Sequence, residues 1–439
     1  MATSPAPTRA SARVLKQGSD VWSIINAAAA ASPIQPLVNL GQGFFGYNPP
    51  QFLRDAVKNV MDDDDCHQYA PPRGHPSMTH ALSQSYSPLW GRQLDPDKEI
   101  LVTTGANEGM LSAFMAFLDP GDQVVVFEPV FDQFVPQTPA YISNIEMAGG
   151  TVVYVGMKPP SQSNSEISNS SQWTIDVEDF ANAITPKTKM IVLNSPHNPT
   201  GLVLSRKDLE AIGALCLKHN ILILSDEVYD RLSYVPFTRI ATLCPEIANI
   251  TMTVGSAGKS FWATGWRVGW LIGPEHLIKH CVTAHTRICY CGVAPLQKAL
   301  AMGLEQASQS NFWEDSKADM LRRMKTFNQV WDELGISYTE PNGGYMVMVD
   351  FSQVKLPESY EFPSVLDGKP LDFRLAWFLI MELGVASIPV SEFYRTETQH
   401  HAPIYLRFAV CKNIEVLEEA KKRLRALKKY ILKQEAIST

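Results

Sequence analysis

Lys259 stands in a run of small residues, Gly255-Ser256-Ala257-Gly258-Lys259-Ser260, behind an apolar stretch over residues 250–254 that reads as a strand. Small neighbours let a bulky group approach the amine. Glycines, a serine hydroxyl and Arg267 further along make a lining suited to an anion. A lysine taken out of water beside another cation gives up its proton readily and becomes a nucleophile toward aldehydes. The set therefore fits a Schiff base between Lys259 and a phosphorylated aldehyde, with Arg267 on the phosphate. Two other readings compete. Gly258-Lys259-Ser260 matches the tail of a phosphate-binding P-loop, but that motif requires glycine where Thr253 stands. An ordinary surface lysine fits this stretch, taken alone, equally well.

The rest of the chain supplies groups for one such cofactor. Residues 189–193 read as a strand ending in Asn194-Ser195-Pro196-His197-Asn198-Pro199-Thr200-Gly201. Residues 221–224 read as another, ending in Ser225-Asp226-Glu227-Val228-Tyr229. Open α/β sheets place ligands at the carboxyl ends of such strands, so Asp226, Tyr229 and Asn198 can meet at one molecule. An acid opposite a pyridine nitrogen keeps it protonated and electron-withdrawing. A phenol and an amide can hold a ring hydroxyl oxygen. Residues 100–104 read as a strand, followed by Gly105, Ala106 and Asn107 at a tight turn that opens an apolar helix. The free N–H groups and dipole of a helix N-terminus suit a phosphate. Pyridoxal 5'-phosphate is the aldehyde that uses all of these partners.

Other positions are more ambiguous. Arg407 lies mid-strand between Leu406 and Phe408, where a charge is unexpected. It serves either as a bidentate clamp for a carboxylate or as a structurally paired arginine. Gly41-Gln42-Gly43 closes a short strand in a turn that lets backbone approach a ligand, or simply turns the chain. Phe131 can stack on a flat ring or pack in the core. Cys281, His285 and Cys289 recur at helical spacing, as a packed helix face does, and no two-plus-two ligand pattern accompanies them; no metal is expected.

At 439 residues the chain exceeds one ordinary domain. It is 45% hydrophobic and 19% charged with net charge −7, a balance that gives no reason to expect nucleic acid as partner. No apolar run approaches a membrane span. The seven scattered cysteines, with no secretory signal before them, point to reduced thiols in the cytoplasm. Residues 1–19 are expected to be disordered. They carry Arg9, Arg13 and Lys16 and no acid, so the mitochondrion is a second candidate compartment. Residues 159–172, rich in Pro, Ser and Asn, read as a surface loop. After long amphipathic helices over 295–330 the pattern becomes β-α-β-β-α, a separate smaller α/β unit. The expected division is an N-terminal arm over 20–48 packing with the small domain, a large cofactor-binding domain over 49–305, and a small C-terminal domain over 306–439.

Together these pieces resemble the class I aminotransferases of fold type I, from about Trp22 to the last helix. Asn198-Pro199-Thr200-Gly201, Asp226-Glu227-Val228-Tyr229, Ser256-Ala257-Gly258-Lys259-Ser260-Phe261 and Gly265-Trp266-Arg267-Val268-Gly269-Trp270 come in the family's order. The resemblance implies an α/β fold: a large, mostly parallel sheet with helices on both faces and a smaller α/β domain. Leu40-Gly41-Gln42-Gly43-Phe44, Glu128-Pro129-Val130-Phe131-Asp132 and Tyr405-Leu406-Arg407-Phe408 look most like the kynurenine aminotransferases, also called glutamine transaminase K or cysteine-conjugate β-lyase. On that resemblance Lys259 carries the cofactor covalently. Phe131 stacks on its ring, Asn198 and Tyr229 hold its hydroxyl oxygen, and Asp226 pairs with its nitrogen. The phosphate lies on the Gly105-Ala106-Asn107 turn, Ser256 and Arg267. Tyr69 reaches in from a neighbouring subunit, which implies a homodimer. Arg407, Asn198 and the Gly41 backbone hold the substrate carboxylate, and Trp22 covers the side-chain pocket. Asn107 departs from the subgroup, which often has an aromatic residue there, and residues 288–294 lack its usual pocket-lining pattern.

The implied activity is ping-pong transfer of an amino group from an aromatic-type amino acid, foremost L-kynurenine, to a 2-oxo acid such as 2-oxoglutarate. Elimination from cysteine S-conjugates and transamination of glutamine or another amino acid are the alternatives on the same site. A transcriptional regulator built on this scaffold is disfavoured, since too few residues precede Trp22 for a DNA-binding domain and no basic patch replaces one.

Overall fold

The computed structural model describes residue 11, residues 21–130, 140–160 and 167–431. The remainder of the segment expected to be disordered, and Phe131, lie outside the described residues, as does the side chain of Trp22.

Eight strands form one sheet in the order Ile100–Thr103, Gly269–Ile272, Thr251–Ser256, Leu222–Asp226, Thr188–Asn194, Gln123–Glu128, Thr151–Lys158 and Thr174–Ile175. Gly269–Ile272 runs antiparallel to both neighbours, and Thr174–Ile175 is antiparallel to Thr151–Lys158. The strands between them are parallel. Strands covered on both faces need apolar side chains at every position rather than every other one. Met190, Ile191, Val192 and Leu193 are accordingly all buried, as are Ile223 and Leu224. Helices pack on both faces of this sheet.

Strand direction decides where the polar residues go. The chain-terminal ends of Ile100–Thr103, Thr188–Asn194, Leu222–Asp226 and Thr251–Ser256 fall on one edge, with the start of Gly269–Ile272 between two of them. Asn194 pairs with Asp226, Ser256 with Gly269, and Gly269 with Thr103. Gly255 must lack a side chain here, because a Cβ would come within 2.0 Å of the Trp270 indole nitrogen across the strand pair.

A second sheet has the order Ile388–Pro389, Tyr405–Ala409, Met346–Asp350, Tyr338–Glu340 and Ser168–Asn169. Its last strand corrects the reading of residues 159–172 as surface loop. Ser168 and Asn169 pair with Thr339 and Glu340, and Ser170, fully buried, donates to the carbonyl of Gly201 and accepts from the amide of Asn342. Strand polarity alone hid this, because the apolar signal is absent from an edge strand of two residues. Near the N-terminus, Val38–Asn39 pairs with Val385–Ala386, which brings the turn at Gly41 over the edge where the first sheet's strands end. All seven cysteines are unbonded. No helix among the described residues is long and apolar enough to cross a membrane.

Candidate active site

A cavity of about 370 Å³ opens at that edge, within the range of small-ligand sites. Ala106, Asn107, Asn198, Asp226, Tyr229, Ser256, Lys259, Arg267 and Arg407 all line it. Residues scattered over some three hundred positions of sequence are thus gathered at one place, most of them delivered by the end of a strand, the loop after it or the start of a helix, and Arg407 from the middle of a strand of the second sheet.

Lys259 projects from the short helix Ala257–Ser260 that caps strand Thr251–Ser256. Its Nζ donates to the Tyr345 hydroxyl at 3.1 Å. Burial lowers its pKa to about 8; nearby Asp226 and Cys411 oppose the drop, while Arg407 and Arg267 add to it. A substantial neutral fraction therefore exists in mildly alkaline solution, as an amine nucleophile requires.

Asp226 is buried, and burial raises its pKa to about 6, against the lowering effects of the Tyr141 hydrogen bond, the Val228 amide and Lys259. It is still mostly a carboxylate at pH 7. Tyr141 donates to Oδ2 and the Val228 amide to Oδ1. Asn194 fixes the loop behind it, donating to the Asp226 carbonyl and accepting from the Asn198 amide.

The helix Ala106–Phe117 begins at Gly105, whose φ of +83° suits glycine, and no side chain caps it. The Arg267 guanidinium lies across this turn. A Cβ on Gly105 would sit 2.4 Å from one of its nitrogens, and one on Gly269 would sit 2.6 Å from the Ala106 amide nitrogen. Two glycines thus let a guanidinium, a strand and an uncapped helix start converge, which makes an anion cradle. Behind it, buried His285 bonds Glu108 at 2.9 Å, and Glu108 also accepts from the Thr104 amide. Cys281 donates to the Met252 sulfur. His285 and Cys281 are thus engaged in packing and hydrogen bonds.

Arg407 is 3% exposed. Nη1 donates to Asn198 Oδ1 at 3.0 Å and Nη2 to the Gly41 carbonyl at 2.7 Å. Asn198 Nδ2 is buried with no hydrogen-bond partner among the described residues. An orphan donor at such a site is costly unless a ligand satisfies it, so this atom fits a cofactor oxygen. The Gly41 amide already donates to Asn39 Oδ1. Gly41 therefore acts here through its carbonyl, by holding Arg407, and does not itself line the cavity, whereas Gln42, Gly43 and Phe44 do.

The carbonyls of this strap, residues 40–44, are all engaged. Leu40 accepts from the Ala409 amide, Gly41 from Arg407, Gln42 from Lys412, Gly43 from Tyr345, and Phe44 from Lys412 and Cys411. The sequence reading missed Tyr345, Tyr141, Asn194 and Lys412. Tyr345 had a signal in the Gly343-Gly344 turn before it; Tyr141, in the helix Ala140–Met147, had none. Tyr69 does not line this cavity. It is 83% exposed, edge-on to Tyr290 at 5.4 Å.

A strand-end lysine, a buried acid and an anion cradle at the edge of the first sheet, with a buried arginine delivered from the second, fit an aminotransferase of fold type I. A family model described as aminotransferase class I and II matches residues 35–424, and the chain belongs to that family. It is 47% identical over 420 residues, 94% of this chain and 93% of the relative, to a Saccharomyces cerevisiae protein named probable kynurenine–oxoglutarate transaminase BNA3. It is 35% identical over 399 residues to Homo sapiens kynurenine–oxoglutarate transaminase 1, covering 89% of this chain and 92% of that one. A crystal structure of Bna3p from Saccharomyces cerevisiae superposes with a TM-score of 0.93 at 45% identity, over 97% of this chain and all of that one. The protein is an aminotransferase, acting between an amino acid and a 2-oxo acid, in a family that generally depends on pyridoxal phosphate.

Proposed function

We propose that the chain transfers the amino group of L-kynurenine to 2-oxoglutarate, with pyridoxal phosphate held covalently by Lys259. The observation that carries the substrate reading is the 47% identity, over nearly the whole length, to a protein named for that reaction. The cofactor reading is supported by the orphan Asn198 Nδ2, the glycine cradle beside Arg267 and the depressed Lys259 pKa.

When bound, the cofactor supplies an electron sink for the substrate's α-carbon. The chain's own residues do the rest. Asp226, held by Tyr141 and Val228, would pair as a carboxylate with the ring nitrogen and keep it protonated. Asn198 Nδ2 and the Tyr229 hydroxyl would hold the ring oxygen. The first-turn amides of helix Ala106–Phe117, Ser256 and Arg267 would hold the phosphate. Arg407 presents a fork to the α-carboxylate that amino and oxo acids share. Lys259 would be the group that takes the α-proton as general base and delivers it back as general acid. Both half-reactions use one site, so ping-pong kinetics follow.

The exposed Tyr69 and Tyr290 are the surface expected to be covered by a second copy, and the homodimer is part of the proposal. The test of substrate is a donor screen. Kynurenine, glutamine, phenylalanine, aspartate and 2-aminoadipate are each paired with 2-oxoglutarate and with pyruvate. The expected result is strong kynurenine turnover, seen as kynurenic acid. Strong aspartate turnover with none from kynurenine overturns the substrate reading while leaving the aminotransferase class. Pyruvate and ammonia released from a cysteine S-conjugate, without an acceptor, reveal elimination on the same residues.

A further inference from the structure

Tyr345 stands between Lys259 and the strap. It is fully buried at the turn into strand Met346–Asp350. Its hydroxyl donates to the Gly43 carbonyl at 2.8 Å and accepts from Lys259 Nζ at 3.1 Å. A phenol has one hydrogen. With that hydrogen on Gly43, the oxygen can only accept from the amine. One N–H of Lys259 is thereby held toward Tyr345, and the lone pair of the neutral amine is left for the cavity that Lys259 lines.

The contact is tight on both sides. A Cβ on Gly43 would lie 3.4 Å from the Tyr345 oxygen and 3.0 Å from the Met346 methyl, so the strap packs closely against both residues. The Tyr345 ring is fixed edge-on to Phe45 at 5.1 Å and to Tyr229 at 5.3 Å. Phenylalanine would keep that packing and lose only the hydroxyl.

We infer that Tyr345 is a positioning residue whose hydroxyl orients the Lys259 amine for attack and ties it to the strap of residues 40–44. The inference rests on the assignment of Lys259 as the cofactor lysine. The charged and titratable groups around that amine, Asp226, Cys411, Arg407, Arg267 and Tyr229, whose own hydroxyl neighbours that of Tyr345, are all retained when the hydroxyl is removed. The change can therefore be read as loss of one oriented acceptor.

The experiment is Tyr345→Phe in the full chain, freed of cofactor and mixed with pyridoxal phosphate across a pH series. Attachment is followed by the visible absorbance of the lysine-bound cofactor. In the parent protein the rate rises with pH as Lys259 loses its proton, to a plateau. In Y345F the plateau rate should fall about tenfold, the scale of one hydrogen bond to a charged or reacting group. The midpoint should move to lower pH, because an acceptor that favours the ammonium form is gone. In the loaded enzyme, turnover at saturating amino donor should fall by a similar factor with KM little changed. A merely structural role would move the melting temperature and leave plateau and midpoint alone. Unchanged plateau and midpoint in folded Y345F overturn the inference. Failure of the parent protein to take up pyridoxal phosphate at all would instead overturn the cofactor assignment. If Y345F does not fold, Lys259→Met tests the tether from its other end. Hydrogen exchange of the amides at residues 41–44 should then quicken several-fold, and unchanged exchange contradicts the tether.

Discussion

Lys259→Ala should lower turnover by at least about 10⁴-fold, because one group is both the nucleophile that holds the cofactor and the base that moves the α-proton. The substitution leaves a small void beside Tyr345 and removes one hydrogen bond, so the fold should persist and melting should change little. Lys259→Arg separates charge from proton transfer. A guanidinium keeps the positive charge yet neither loses its proton near neutral pH nor forms the covalent link, so it should be as inactive as alanine. Steady-state rates with a saturating donor, together with melting temperatures, check both. Appreciable turnover by either variant would remove Lys259 from the chemistry.

Arg407→Ala should weaken kcat/KM for amino donor and oxo acid alike. Removing one partner of a buried, hydrogen-bonded charge pair costs on the order of 2–4 kcal/mol, about 30- to 900-fold in kcat/KM. The loss should appear in both half-reactions because both substrates carry the same carboxylate, and mostly as KM. Asn198 Oδ1 and the Gly41 carbonyl lose their donor in the same substitution, so some disorder of the strap adds to the loss. Arg407→Lys should recover little of it, since an ammonium cannot serve Asn198, Gly41 and a carboxylate in fixed directions at once. Saturation curves for each substrate at fixed co-substrate check this. An effect confined to one substrate would contradict the clamp.

How much of this was legible beforehand follows from what the sequence signal is. Asp226, Asn198 and Lys259 each end or follow an apolar run, and a parallel sheet sends all such ends to one edge; strand pattern alone therefore placed them together. Arg407 stood out as a charge inside a strand, and the structure turns that oddity into a buried fork. Tyr141 was illegible because a tyrosine among apolar residues reads as core, and Tyr345 was passed over for the same reason despite the Gly343-Gly344 turn before it. Their hydroxyls acquire meaning only from Asp226, Gly43 and Lys259, all far away in sequence. The antiparallel strand Gly269–Ile272 was hidden for a similar reason. Its pairing partners, Thr103 and Ser256, are set by tertiary contact, while its own residues read as the tail of a glycine-rich motif. The Gly41 backbone was expected to hold the substrate carboxylate; its amide is held by Asn39 and its carbonyl serves Arg407.

The most direct test is to load the protein with pyridoxal phosphate, reduce it with borohydride, digest it and locate the modified residue by mass spectrometry. The account predicts one reduced pyridoxyl phosphate group per chain, on the peptide containing Lys259, and none on that peptide after exposure to an amino donor before reduction. Modification at a different lysine, or a Lys259 label that persists with the donor present, would contradict it.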